Sequence, residues 1–411
     1  MNKILFFFTV IILLSCAGGS KTSENTDAIA DEDVKLPITV FMEDFIQKED
    51  TEPLSSVASE IVYIPLETND NSLLKKIDRI EKLGDNYAVS DFENIFLFDQ
   101  NGKFIKRVAR KGGGPSDYTT WVYNIIVDPS TNFLYLFTYN KVIKFDEKAN
   151  YITNFQIDGI RIGDVYPNGV VTQDKTIMLG LLNDRKKPGD TNIVYNALEV
   201  DTIGHTINKY INYSPRYSQI RTVSHITALY KFNNDIRFMD FLNDTLFLIS
   251  GDSMMPYVIY DFGKNKFKFI EDNLSYRDNF DALHEALNNL NGNFVKSVFE
   301  NDNFLFMCIS KKGVGVDIVN CLYNKRTKKV KLLKDGGLLN DLDGSLSFFP
   351  QKTFKDNELV RWKSAEEFKE EILSLDYNAQ KAKYGERFEK VYQVAKSLLE
   401  DDNPVLIIAK K

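Results

Sequence analysis

The chain has 411 residues, 43% of them hydrophobic and 13% aromatic, and sets 58 acidic against 51 basic side chains for a net charge of −7. That acidic balance excludes the basic stripe by which a protein displaces counterions from nucleic acid, so no nucleic-acid partner is expected, and it excludes a polybasic membrane-binding surface. A length that ordinarily divides into two or three domains is here carried by a repeat without a compositional break and reads as one closed array.

In chain order, Lys3 and the apolar run from Ile4 to Leu14 make the charged and hydrophobic regions of a signal peptide over residues 1–15. The run is too short to cross a bilayer, which takes about 20 residues. It ends in Leu13-Leu14-Ser15-Cys16, which resembles the bacterial lipobox. That resemblance implies cleavage before Cys16, acylation of Cys16 and an exported lipoprotein held to the membrane through its lipid anchor. The Ala17 that follows, where an Asp would retain the protein, implies the outer membrane by the same resemblance. Residues 16–35, rich in Gly, Ser, Thr, Asn, Asp and Glu, bury too little to fold and form a flexible tether. Residues 36–411 make the folded domain.

Within that domain an 11-residue pattern returns five times. It reads Ile95-Phe-Leu-Phe-Asp99-Gln-Asn-Gly102-Lys-Phe-Ile105 and recurs from Val142, Ala197, Tyr257 and Asn320. Each copy follows a β-branched and aromatic run, over 86–90, 132–137, 176–180, 244–249 and 303–308. An apolar run closed by Asp or Asn, with Gly or Asn two or three residues later, is a strand, a tight turn and the next strand. A further strand is expected ahead of each hairpin, over 77–83, 122–127, 163–166, 236–241 and 294–299. Strand-built repeats of roughly 40 to 50 residues are the signature of a β-propeller, one copy per blade.

A sixth blade emerges only from reading both ends together. Inner strands are expected over 344–349 and 357–362. The missing arms are Pro404-Val-Leu-Ile-Ile-Ala409 and Ile61-Val-Tyr-Ile-Pro-Leu66, which close the ring by pairing side by side. The expected fold is all-β: a six-bladed β-propeller with four-stranded blades, closed by its N- and C-terminal strands. Two helical insertions are expected, over 276–291 and 364–400, the second opened by the capping box Ser364-Ala-Glu-Glu367. Cys308 and Cys321 fall in consecutive strands, off register and on opposite faces, which disfavours a disulfide.

Several phrases together resemble the six-bladed β-propeller lipoproteins of Bacteroidota, relatives of the NHL-repeat propellers: Ile64-Pro65-Leu66-Glu67-Thr68, Phe98-Asp99-Gln-Asn-Gly-Lys103-Phe104, Arg110-Lys-Gly-Gly-Gly-Pro-Ser-Asp-Tyr118 and Asn243-Asp-Thr-Leu-Phe-Leu248. The resemblance covers residues 36 to 411 and implies a fold and a compartment, with no catalytic residues to carry over.

Candidate chemistry is sparse. The loop from Arg107 to Tyr118 sets three glycines beside Arg107, Arg110 and Lys111, which suits an anion; lacking a Gly-Lys-Ser/Thr, it does not make a nucleotide phosphate loop. Tyr118, Trp121, Arg161, Arg216, Tyr217 and Arg221 are the expected loop contacts for a sugar ring or an acidic group. Asp78, Arg79, Arg237, Asp240 and Glu300 sit on inner-strand runs facing the channel. His205, His225 and His284 are not at ligand spacing, so neither metal nor cofactor is expected, and no Gly-x-Ser-x-Gly elbow is present. The leading expectation is a lipid-anchored binding module for a glycan, a peptide or an envelope protein. The alternative is a polysaccharide or peptide lyase or hydrolase with Asp240 and Glu300 as channel carboxylates.

Overall fold

The computed structural model describes residues 36–43, 49–165, 168–181, 195–211, 228–240, 243–267, 291–312, 316–354 and 358–411. Cys16 and all but the last residue of the helix expected over 276–291 lie outside them; Asn291 opens a strand instead. The chain first lays down β1 (Ile38–Phe41), β2 (Glu49–Asp50) and β3 (Glu60–Pro65). Blade 1 follows with β4 (Arg79–Leu83), β5 (Asn86–Ser90), β6 (Ile95–Phe98) and β7 (Phe104–Ala109), and blade 2 with β8 (Asn124–Val127), β9 (Leu134–Phe137), β10 (Val142–Phe145) and β11 (Tyr151–Phe155). After a short helix α1 (Ile162–Val165), blade 3 comprises β12 (Asn168–Val171), β13 (Ile177–Gly180), β14 (Tyr195–Val200) and β15 (Thr206–Ile211). Blade 4 comprises β16 (Ala228–Phe232), β17 (Asp235–Met239), β18 (Thr245–Ser250) and β19 (Ser253–Asp261). Blade 5 comprises β20 (Asn291–Glu300), β21 (Phe304–Lys312), β22 (Val316–Asn324) and β23 (Lys329–Leu333). Blade 6 takes β24 (Lys352–Thr353) and β25 (Leu359–Lys363), then α2 (Ala365–Leu373), α3 (Tyr377–Tyr384) and α4 (Glu386–Ser397), then β26 (Val405–Lys410).

The ring closes as the two ends of the sequence foretell. β26 lies between β25 and β3, in antiparallel register from Val405↔Pro65 to Lys410↔Glu60. The N-terminal chain reaches that position along the outer edges of the preceding blades. β1 adds parallel to β19 and β2 parallel to β23, so blades 4 and 5 each gain a fifth strand.

Each blade is sandwiched between two others, which is why its central strands are apolar at consecutive positions rather than alternate ones. In blade 1, Ala88 and Leu97 face blade 2 with Ile125 and Leu136, whereas Val89 and Phe96 face blade 6 with Leu406 and Ile408. One such core fills every junction between blades. At the junction of blades 5 and 6 it extends into the helices, where Phe368, Ile372, Phe388 and Val391 pack with Phe306, Phe348 and Ile407. Ser364 caps α2 by accepting from the Glu367 amide at 3.2 Å, the contact its capping box requires.

The recurring 11-residue pattern has a single local cause. Asp99 Oδ1 accepts from the amides of Asn101 and Lys103, both at 2.8 Å, and Gly102 takes φ +81. Asp201 repeats this with Ile203 and His205 around Gly204, and Asp146 does so around Ala149. The two glycines also permit close approach: a Cβ on Gly102 would lie 2.2 Å from the Pro65 carbonyl oxygen, and one on Gly204 1.8 Å from that of Gln156.

Three strand assignments need correction. The copy from Tyr257 carries the same local chemistry, since Asp261 Oδ1 accepts from Gly263 N at 2.9 Å, but it sits at the end of the outermost strand of blade 4's own meander. Blade 4 is therefore one strand out of phase with the expected reading: its inner strand is β16, and 236–239 belongs to the second strand. Residues 163–165 belong to α1 rather than a strand, because Gly163 N is drawn to the Tyr139 carbonyl at 2.9 Å, and β12 supplies the inner strand. Residues 344–349 form a loop. Asp343 and Ser345 there hold the Tyr63 hydroxyl at 2.7 and 2.6 Å, and the short β24 is the inner strand of blade 6. Cys308 pairs with Asn320 and Cys321 with Met307, so the two cysteines do lie off register, and both are free thiols.

Candidate functional site

The inner strands β4, β8, β12, β16 and β20 are neighbours in turn around the axis, and the β24–β4 seam is bridged by Lys352 and Glu81. Because strands alternate in direction, every inner strand starts on one face of the ring and ends on the other. The face where inner strands start carries the links between blades and the turns between second and third strands. The opposite face carries the turns after the inner strands. The residues singled out in the sequence divide between these two faces.

On the first face, the loop after β7 folds against the Asp91–Asn94 turn of blade 1. Tyr118 N donates to Arg110 O at 3.1 Å, and its hydroxyl donates to the Glu93 carbonyl at 2.5 Å. Tyr118 is only 1% exposed and belongs to the core between blades 1 and 2, so it anchors the loop and does not present a ring to a ligand. Burial pushes its hydroxyl pKa well up. The glycines make room for a carboxylate: Gly114 N donates to Asp117 Oδ2 at 3.0 Å, and a Cβ on Gly112 would lie 2.3 Å from the same oxygen. Arg110 Nε stands 3.7 Å from Asp117 Oδ1 with its side chain 75% exposed.

Around this anchored loop the structure gathers cations. Glu93 pairs with Lys75 at 2.7 Å and Lys111 at 3.8 Å, and those lysine side chains are 69% and 46% exposed. Lys76 Nζ lies 5.0 Å from the Phe92 ring centroid. Trp121 is 51% exposed next to Val122, whose amide donates to the Phe92 carbonyl. Arg107 lies over the Phe96 ring at 5.3 Å, and its charge acts on the Tyr118 hydroxyl. Lys75, absent from the sequence-level candidates, comes from the preceding link between blades 6 and 1; only the fold brings it to Glu93.

On the opposite face, at the junction of blades 4 and 5, Glu300 ends β20 with its side chain fully buried. Arg237 Nε approaches one carboxylate oxygen at 2.8 Å and Lys325 Nζ the other at 2.5 Å. The hydroxyl of Tyr257 donates to Glu300 at 3.0 Å and that of Tyr230 at 3.4 Å. Arg237 also stacks over Tyr257, 4.1 Å from its centroid. Burial, then the Glu300 charge, raises the Tyr257 hydroxyl to about 12, and burial lowers the Lys325 ammonium against the pull of Glu300. Two cations thus converge on one sealed carboxylate, an arrangement that locks two blades together.

Asp240 does not join it. It follows the far end of β17, three residues and roughly 10 Å beyond Arg237 at strand rise, and is buried. The expected pair of channel carboxylates, Asp240 and Glu300, is therefore split between the two faces. Arg161 lies over the Tyr139 ring at 5.2 Å. Arg216, Tyr217 and Arg221 lie outside the described residues. Among the described residues no three His, Cys, Asp or Glu side chains gather as a metal site.

At the mouth of the channel on the first face, Asp78 and Arg79 open β4. Arg79 Nη1 donates to the Asp78 carbonyl at 3.0 Å and lies 3.3 Å from Oδ1. Burial raises the Asp78 carboxyl above its ordinary range despite the Arg79 and Lys76 charges, and burial likewise raises Glu81 against its Lys352 partner.

With the ring and its faces defined, relatives can be placed. A protein-family profile matches residues 37–410, the whole propeller. The chain belongs to that family, described as a domain of unknown function, DUF4934. No curated protein matches the sequence. Among solved structures, a Bacteroides fragilis protein described as exported shares the fold, with TM-score 0.63 and 17% identity over 91% of this chain and 100% of that one. The extracellular domain of a one-component system from B. thetaiotaomicron is similar at TM-score 0.39 and 12% identity, over 74% of this chain and 32% of that one. A protein of unknown function from Bacteroides caccae is similar at TM-score 0.35 and 10% identity, over 66% and 79%.

Proposed function

We propose that this member of the family is a lipid-anchored binding module of the bacterial envelope, and that it recognises a glycan on the face of blade 1. Export and acylation at Cys16 rest on the leader sequence ending Leu13-Leu14-Ser15-Cys16, and the B. fragilis relative is described as exported. The observation that carries the binding site is the exposed set Lys75, Arg110, Lys111 and Trp121, fixed on a loop whose own anchor, Tyr118, is buried. Lysine and arginine heads that remain in water on a rigid loop recruit an acidic group, and an exposed indole offers a flat face to a sugar ring. A binder needs no converging acid and base, and Asp240 and Glu300 do not converge.

The test uses residues 36–411, a compact unit, titrated with a panel of acidic and neutral polysaccharides. Saturable binding, weakened by salt and by at least tenfold in Trp121→Ala and in Lys75→Ala/Lys111→Ala, is expected, with no cleavage products. Steady release of oligosaccharide products, or binding indifferent to all of these substitutions, refutes it.

A further inference from the structure

Two adjacent side chains at the channel mouth have hydrogen-bonding capacity that the protein itself does not use. Asp78 Oδ2 is buried without a partner, in a side chain only 9% exposed. Arg79 Nε, in the next residue, is also buried without a partner. Buried polar atoms are almost always paired, and an orphaned acceptor beside an orphaned donor calls for an explanation. Arg79 does not close the gap itself, because its Nη1 is turned onto the Asp78 carbonyl and Oδ1.

Another buried atom without a hydrogen-bond partner, the Tyr260 hydroxyl, lies sealed in the core between blades 4 and 5. Asp78 and Arg79 instead head an inner strand on the face that carries the links between blades, and the Arg79 side chain is 29% exposed. A chain of contacts links them to the exposed indole. The Asp78 charge feels Lys76, Lys76 lies over Phe92, and the Phe92 carbonyl accepts from Val122, the neighbour of Trp121.

We infer that Asp78 Oδ2 and Arg79 Nε form a subsite for two neighbouring hydroxyls of a pyranose, one donating to the carboxylate and the other accepting from the guanidinium. This rests on the proposed glycan reading and names the chemistry recognised within it. A sulfate or phosphodiester supplies no donor, and any phosphate is repelled by the Asp78 carboxylate. An ammonium or guanidinium supplies no acceptor and is repelled by Arg79. A vicinal diol supplies both at adjacent atoms. A peptide amide also carries a donor and an acceptor, and it forms the competing outcome.

The experiment titrates residues 36–411 with methyl α-mannoside, methyl β-galactoside and methyl β-glucoside, and with an N-acetyl trialanine amide, following amide shifts by NMR. At least one glycoside is expected to saturate. Asp78→Asn should weaken it at least tenfold, and Arg79→Lys, which removes Nε while keeping the charge, should do likewise. Asp78→Asn should melt no lower than the parent protein. A carboxyl whose pKa is raised in the fold contributes stability below its unfolded value that is lost as pH rises through the folded value, so at neutral pH an amide relieves the fold of a disfavoured charge. Saturation by the peptide alone, saturation by nothing, or glycoside binding that survives Asp78→Asn each overturns the inference. If polysaccharide binding still depends on Trp121 in those cases, the broader glycan reading stands and only the subsite falls.

Discussion

Replacing Asn403 tests how the ring is locked. This residue is 1% exposed and joins the C-terminal strand to the link that leads into blade 1. Its Oδ1 accepts from Leu74 N at 2.8 Å, and its Nδ2 donates to the Glu67 carbonyl at 2.7 Å and the Ser72 carbonyl at 2.8 Å. Its backbone amide donates to Thr68 Oγ1 at 2.7 Å. Asn403→Ala removes three side-chain bonds and leaves three main-chain groups behind. At about 1 kcal/mol each where water re-enters, and two to three times that where it does not, the loss is about 3 to 9 kcal/mol. Against a typical total of about 5–15 kcal/mol, that is a large fraction of the stability. Asn403→Asp keeps the acceptor for Leu74 but turns an oxygen onto two carbonyl oxygens, so it should be at least as unstable as the alanine variant. Lys411→Ala, at the exposed residue that follows the same strand, is the control and should change stability by less than about 0.5 kcal/mol. Urea unfolding followed by tryptophan fluorescence and circular dichroism reads all three. An Asn403→Ala protein within 1 kcal/mol of the parent would show that the closure does not depend on this clasp.

Two further outcomes follow from the buried charges and phenols. Glu300→Gln leaves Arg237 and Lys325 without their shared countercharge and should cost about 3–5 kcal/mol in urea unfolding; a change below 1 kcal/mol would mean that the cluster does not hold blades 4 and 5 together. Burial raises Tyr87, Tyr135, Tyr210 and Tyr257 to about 12. Such groups stabilise the fold fully below pH 10, and their contribution is lost as pH rises from 10 to 12. Absorbance at 295 nm should therefore show a late step in tyrosine ionisation that coincides with loss of the β-sheet dichroism. Complete ionisation near pH 10 with the fold intact would contradict this.

How much was legible in advance depended on the range of the interaction. The Asp99, Asp146 and Asp201 turns are set by contacts within four residues, and each could be read directly. The same locality misled at Asp261, where an identical Asx contact ends an outer strand: nothing within four residues records which strand of a blade the turn follows. Trp121 was legible as an exposed loop aromatic. Tyr118 was misjudged, because burial against Leu97 and Ile125 depends on how two blades pack. Lys325 and Lys75 were missed, since their partners Glu300 and Glu93 lie across turns or in a different blade.

The sequence by itself determined that this is a closed ring of six blades. Strand periodicity, turn chemistry and the apolar arms at the two ends are local or compositional properties, and an unpaired sheet edge leaves only one way to use those arms. The tertiary structure alone decided which charges meet. Glu300 is sealed by two cations at the junction of blades 4 and 5, whereas Asp78 and Arg79 keep an unused acceptor and donor at the channel mouth. Those outcomes follow from inter-blade packing and burial, which act between residues that the chain order keeps far apart.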